Sequence, residues 1–163
     1  MTEIETFREK LLQIITENPG LYFRELQRKT GSAVGKLDYH LYQMERKGEI
    51  YSMKDEHVVR YFSSASDTML ERRLAVHLRN PVSKEIITRA AVSGEYELSI
   101  RDAKALQSLE GMKQNGIVSY TVEGEKARVS LENRDIVIKF LKRYSSSFLD
   151  SIAYSIFKML DEI

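Results

Sequence analysis

One pattern occurs twice in this chain. Leu41-x-x-Met44-x-x-x-Gly48-x-Ile50 recurs as Leu109-x-x-Met112-x-x-x-Gly116-x-Val118, each at the end of an amphipathic run and the start of an alternating one. Apolar residues at steps of three and four form one face of a helix. A glycine just past them supplies the left-handed residue that ends it, and alternation beyond the glycine is the period of a strand. The order helix, glycine, strand, turn, strand is thus predicted twice. Coincidence of spacing is the alternative to duplication, and the repeated order favours duplication. Either way the fold class is α+β, mainly α with small β-hairpins: two such lobes plus C-terminal helices.

The first lobe is expected over residues 1–62. Ile4, Phe7, Leu11, Ile14 and Ile15 give a helix over 3–17, which Asn18-Pro19-Gly20 stops. Tyr22 to Thr30 is a short second helix around Phe23 and Leu26, Gly31-Ser32 breaks the chain, and a third helix over 33–47 turns Val34, Leu37, Leu41 and Met44 inward. Ile50 and Met53, then Val59 and Tyr61, form a hairpin around Lys54-Asp55-Glu56.

A polar stretch, Ser63-Ser64-Ala65-Ser66-Asp67, and a helix from Met69 to Leu78 make a linker over 63–80. The second lobe, 81–132, opens at Asn80-Pro81 with Ser83 as cap of a helix bearing Ile86, Ile87, Ala90 and Ala91. Ser99 and Asp102 read as a capping pair for a helix bearing Ile100, Ala103, Leu106, Leu109 and Met112. A hairpin then turns at Glu123-Gly124-Glu125. This lobe has room for two helices, so it either borrows the linker helix or lacks one.

The tail, 133–163, carries one stripe of Val137, Leu141, Tyr144 and Phe148 and another of Leu149, Ile152, Ile156, Met159 and Ile163, with Phe157 and Leu160 beside it. Two helices or one bent helix are expected, with Ser145-Ser146-Ser147 capping the last. So broad a stripe predicts pairing with a second copy, a homodimer, against the alternative that the helix packs back on its own lobe.

Composition narrows the function. The 163 residues hold 25 Lys and Arg against 24 Asp and Glu, a formal charge of +1, with 42% hydrophobic and 30% charged residues, as in soluble globular proteins. There is no cysteine, which excludes disulfides, thiolate metal sites and thiol nucleophiles. Apolar runs are too short to cross a bilayer, and the acidic start Met1-Thr2-Glu3-Ile4-Glu5 is unlike a signal peptide, so a cytoplasmic protein without a membrane partner is expected. There is no glycine-rich phosphate loop, no Gly-x-Ser-x-Gly and no His-Glu-x-x-His. His40, His57 and His77 fall on different elements. His57 beside Asp55 or Glu56 lacks a spaced second ligand for a metal. No enzyme activity, cofactor or metal is expected. Tyr96, Tyr120 and Tyr144 either fill the core or line a small-molecule pocket.

Asn18-Pro19-Gly20-Leu21, Arg24-Glu25-Leu26, Thr30-Gly31, Gly35-Lys36-Leu37-Asp38-Tyr39-His40-Leu41, Met44-Glu45 and Gly48-Glu49-Ile50 together resemble winged helix-turn-helix transcription regulators of the archaeal type, distant relatives of the MarR and ArsR groups. Leu78-Arg79-Asn80-Pro81 followed by Ile86-Ile87 is similar to the opening of an ArsR-like unit, although the segment before Gly116 is shorter than that pattern. The resemblance implies a tandem winged-helix regulator.

The residues of the first lobe point the same way. Opposite the apolar stripe, the third helix presents Ser32, Lys36, Tyr39 and Gln43, donors, acceptors and a ring suited to base edges and phosphates in a major groove. His40 falls between the faces, to touch a phosphate or to plug the core margin. Lys54, His57 and Arg60 lie where a wing meets the backbone or minor groove, against the repulsion of Asp55 and Glu56. Arg28, with Arg24, Lys29, Arg46 and Lys47, neutralises phosphates or merely solubilises. The expected function is a sequence-specific, homodimeric regulator of double-stranded DNA, with a small-molecule effector as a further partner. The rival is a non-enzymatic winged-helix interaction module in a larger assembly. Single-stranded binding would ask for stacked aromatics, for which only Tyr39 and Tyr42 qualify. The second lobe, despite Arg101, Lys104, Gln107 and Ser108, is not expected to read bases.

Overall fold

A computed structural model describes residues 3–65 and 67–158, which divide into two units, Met1–Arg72 and Arg73–Ile163. In the first, α1 (Glu3–Glu17) is followed by β1 (Leu21–Tyr22), α2 (Phe23–Thr30), α3 (Val34–Arg46), β2 (Ile50–Asp55) and β3 (Val58–Ser63). Leu11 and Ile15 of α1, Leu21, Leu26 of α2, Leu37, Leu41 and Met44 of α3 and Ile50 make one core, with Phe7, Leu12, Ile14, Phe23 and Tyr61 packed around it. Burying branched aliphatics from every element is what holds so small a unit together.

The three strands form one antiparallel sheet in the order β1-β3-β2, with Leu21 opposite Tyr61 and Ile50 opposite Ser63. Strand β1 is a pair of residues at the start of the expected second helix, too short to show a period. Lys54 and Asp55, expected in the hairpin turn, are the last residues of β2, and the turn falls at Glu56 and His57, with Glu56 at φ 47°. Val34 does not pack inward: it is 58% exposed. Helix α3 begins at Val34 and first reaches the core one turn later, at Leu37, so its opening turn projects past the packed layer.

Helix α4 (Met69–Leu78) contains the division between the units. The second unit then continues with α5 (Pro81–Ser93), β4 (Tyr96–Ser99), α6 (Ala103–Gln114), β5 (Val118–Glu123), β6 (Lys126–Leu131), α7 (Arg134–Arg143), α8 (Ser145–Phe148) and α9 (Ser151–Lys158). Its sheet runs β4-β6-β5, the order of the first sheet, antiparallel throughout. The repeated motif has the same hydrogen bonds in both units. Gly48 (φ 76°) and Gly116 (φ 75°) follow the helices. Glu49 N–H donates to Met44 O at 3.0 Å and Ile117 N–H to Met112 O at 2.9 Å. Ser64 N–H donates to Glu49 O at 3.0 Å and Glu132 N–H to Ile117 O at 2.9 Å. Only glycine takes this left-handed turn without strain, which is why the sequence pattern is pinned there.

One element is missing from the second unit. Where α2 and its turn separate β1 from α3, only Ile100, Arg101 and Asp102 separate β4 from α6. The lobe lacks that helix, and it also takes in α4 from Arg73 on, with Leu74, Ala75 and Leu78 buried and His77 Nε2 at 2.7 Å from Asn115 Nδ2.

Several caps differ from expectation. Asn80, not Ser83, caps α5, its side chain accepting from the N–H groups of Val82 and Ser83 at 3.0 and 3.2 Å, while Ser83 is buried inside the first turn. Proline at the next position fixes the start, because its absent N–H costs nothing in a first turn. Asp102 alone caps α6, accepting from Lys104 N–H at 2.9 Å; Ser99 ends β4 and Ile100 precedes the helix. The buried side of α6 is Ala105, Leu109 and Met112, with Leu106 exposed.

The serines of the tail form α8 rather than a cap of α9. Arg79 fixes that turn, donating to Ser147 O at 3.1 Å and Ser147 Oγ at 2.8 Å with its guanidinium 3.9 Å from the Phe148 ring centre. Val137, Leu141, Tyr144 and Phe148 are all buried as one stripe. Helix α9 packs against α5, with Leu149 and Phe157 buried and Ser151, Tyr154, Ser155 and Lys158 outward. Ser66, Met159, Leu160 and Ile163 lie outside the described residues, as do the side chains of Ile4, Ile152 and Ile156. Among the described residues no helix is long and apolar enough to cross a membrane.

Candidate nucleic-acid interface

Two helices and the turn between them make the candidate site. Glu25 reaches back to accept from the Tyr22 N–H at 3.2 Å, which starts α2. Gly31, at φ 66°, ends it by donating to Gln27 O at 2.8 Å and turns the chain into α3. The Ser32 and Thr30 hydroxyls share a 3.0 Å hydrogen bond and Gln27 Nε2 donates to Ser32 O at 3.4 Å, so Ser32 is half-buried in the turn rather than projecting from the helix.

Beyond Ser32 the outer face of α3 holds Val34, Gly35, Asp38, Tyr39, Tyr42 and Arg46, all exposed. Tyr39 is 56% and Tyr42 57% exposed, and the Arg46 guanidinium sits 5.8 Å from the Tyr42 ring centre. Of the other residues predicted here, Lys36 is exposed but its ammonium lies 4.4 Å from the centre of the Phe7 ring, turned toward α1. Gln43 is half-buried. Asp38 is an addition, Tyr42 is expected only as a stacking ring, and Val34, which the apolar spacing assigns to the core, lies on the outer face instead. The signal for Val34 was the turn at Gly31, which places the helix start one turn before its first core residue.

His40 takes the core-margin placement. It is 5% exposed, with its ring 4.8 Å from that of Phe7 and 5.4 Å from that of Tyr39 at 81°. Burial, with the positive charges of Lys36 and Arg8, holds its pKa below the ordinary histidine value, so the neutral ring is favoured. Arg8 is itself tied to Glu49 by an ion pair joining α1 to the start of the hairpin.

Arg60 is likewise a strut. Its side chain is 12% exposed; Nε pairs with Asp55 at 2.9 Å and a terminal nitrogen donates to Gly20 O at 2.8 Å. These bonds close the sheet onto the turn before β1 and commit two of the five guanidinium donors inside the unit. Lys54 and His57 are exposed on the hairpin, and Arg24, Arg28 and Lys29 on α2. Among the described residues none of these cations has an ion pair. Ser52 Oγ donates to Glu45 Oε1 at 2.6 Å, which anchors the hairpin to α3. Burial first, then the carboxylates of Glu45 and Asp38, pushes the Tyr61 hydroxyl up.

The arrangement can present an exposed helix, reached through a glycine turn, with unpaired cations on the segments before and after it. Residues 5–74 match the family model HTH_HVO_0163_N, an N-terminal HTH domain. No curated protein matches the chain. The first unit is therefore a helix-turn-helix domain, α2 and α3 being its two helices, of the kind that binds DNA.

Proposed function

We propose that the chain is a sequence-specific regulator of transcription that binds double-stranded DNA through the first unit, with α3 in the major groove. The observation that carries this reading is the exposed face of α3 within the matched helix-turn-helix domain. Tyr39 with Val34, Asp38 and Gln43 would meet base edges, and Arg24, Arg28, Lys29, Lys36, Lys54 and His57 phosphates. The repeated sheet order supports a tandem winged-helix chain of the MarR/ArsR-like type. In it the second unit, without its helix-turn, serves dimer formation or effector binding. Two-fold pairing of two such chains would set two α3 helices about 34–36 Å apart, one turn of DNA.

Selection from a random duplex pool tests the reading. An enriched palindrome, bound with an affinity that falls steeply from about 50 to 200 mM salt as phosphate counterions are released, is the expected result. Failure to enrich any duplex refutes it. The exposed Val34, Tyr39 and Tyr42 also favour a second reading, docking to a protein partner, for which binding would be indifferent to salt.

A further inference from the structure

The opening turn of α3 is unlike the rest of the interface. Ala33, at the N-cap, makes no side-chain cap, Val34 is the most exposed of the large apolar residues named on this helix, and a Cβ built on Gly35 would meet nothing within 4 Å. Three consecutive exposed positions thus carry methyl groups or hydrogen and no polar side-chain atom. The exposed cations lie away from this turn, Arg24, Arg28 and Lys29 before α3, Arg46 in its last turn, and Lys54 and His57 after it. Lys36 is drawn back onto Phe7.

A duplex has this same division. Its rims are anionic phosphates, and the floor of its major groove carries one apolar group, the 5-methyl of thymine. The isopropyl group of Val34 offers a phosphate nothing to bind, whereas it fits a methyl that must be brought out of water. The absence of a side chain at Gly35 lets the backbone come close. We propose that Ala33 and Val34 read thymine methyl groups, so that the first turn of α3 sets a preference for T over C and over U in the sites this protein binds. The inference rests on the DNA-binding reading and specifies its chemistry.

The probe is a duplex enriched from a random pool, resynthesised with single 2′-deoxyuridine replacements for thymidine. Uridine keeps every hydrogen-bonding group and removes only the methyl. Burying one such carbon is worth about 0.8 kcal/mol, or about fourfold in Kd. The expected result is a loss of about fourfold at one or two positions per half-site with the unaltered chain, and a preference weakened in Val34→Ala at the position that Val34 reads while the one read by Ala33 is kept. Because Val34 lies outside the core, that variant should fold, which its unchanged thermal transition would show. Equal affinity of the unaltered chain for T and U duplexes at every position overturns thymine readout while leaving DNA binding intact. A T preference in Val34→Ala that is undiminished at every position overturns the assignment to Val34. Failure to enrich any duplex overturns the DNA reading and this inference with it.

Discussion

Replacing Arg60 by alanine separates a strut from a phosphate ligand. Two bonds are lost. The first is a charge-assisted hydrogen bond of 2.8 Å to the carbonyl of Gly20, a buried residue, which is left without that donor. Such bonds contribute about 1.5–3 kcal/mol. The second is the 2.9 Å ion pair with Asp55, whose side chain is 31% exposed, so solvent screening limits it to at most about 1 kcal/mol. The first unit should lose about 2–4 kcal/mol, a large part of the 5–15 kcal/mol typical of a domain. Because two units need not unfold together, a local readout is required, and hydrogen exchange at the amides of β1 and β3 in the full chain supplies it. Exchange there should quicken by about 30- to 1,000-fold. Arg60→Lys should fail to restore protection, because an ammonium cannot span both acceptors in the guanidinium's fixed geometry. If Arg60→Ala left exchange unchanged and cut duplex affinity tenfold, Arg60 would be a wing contact and the strut would be refuted.

Leu37 is fully buried and Tyr39 is on the outside of the same helix, so Leu37→Ala should cost about 2–5 kcal/mol while Tyr39→Ala lowers duplex affinity at nearly constant melting temperature. Equal melting losses would mean the faces of α3 are misassigned. His40 has a folded-state pKa below its ordinary 6.5, so the unfolded chain takes up the proton first. Its contribution to stability is present above that value and is lost as the pH falls through it toward the folded-state pKa. Urea midpoints between pH 7 and pH 5 should drop more in the unaltered protein than in His40→Leu, and parallel curves would contradict this. Phe157 is buried where α9 packs on α5, so Phe157→Ala should lower the melting transition of the second unit at any protein concentration. A loss that vanishes on raising the concentration would instead place Phe157 in a contact between chains.

What the sequence made legible follows the strength of each local signal. The helix-glycine-strand motif was readable twice because Gly48 and Gly116 occupy backbone conformations that other residues resist. The apolar stripe Leu37, Leu41, Met44 named the inner face of α3 correctly. Strands β1 and β4 were not readable: β1 has a pair of residues, and β4 alternates half-buried with exposed side chains on an edge, so neither shows a hydrophobic period. Ser83 was taken for a cap because serine is a good one, but Asn80 directly before Pro81 is better placed, and a proline in the first turn settles the register. The placements of Arg60 and His40 turn on contacts that no local pattern carries. Position on an element says which face a side chain leaves from, yet Gly20 and Asp55 capture Arg60, and Phe7 covers His40, through contacts distant in the chain.

The two units differ most in how they treat their own charges. In the second, Arg101 pairs with Glu125 at 2.6 Å, Lys126 with Glu97 at 3.3 Å and Arg128 with Glu95 at 3.6 Å, and the carboxylate of Asp102 sits on the first turn of α6. A cation already matched to a carboxylate gains little from a phosphate, and an acidic cap repels one at the helix end where a groove-reading helix makes its contacts. In the first unit, α3 starts at Ala33 with no acidic cap, and Arg24, Arg28, Lys29 and Lys54 are unmatched among the described residues. Net charge does not make this division: residues 1–72 carry 11 Lys and Arg against 12 Asp and Glu, and residues 73–163 carry 14 against 12, so the contrast lies in where the cations stand. The absent helix-turn and the paired charges on the second unit's sheet point the same way. With the match of residues 5–74 to a helix-turn-helix model, they favour the first unit for the DNA contact proposed above.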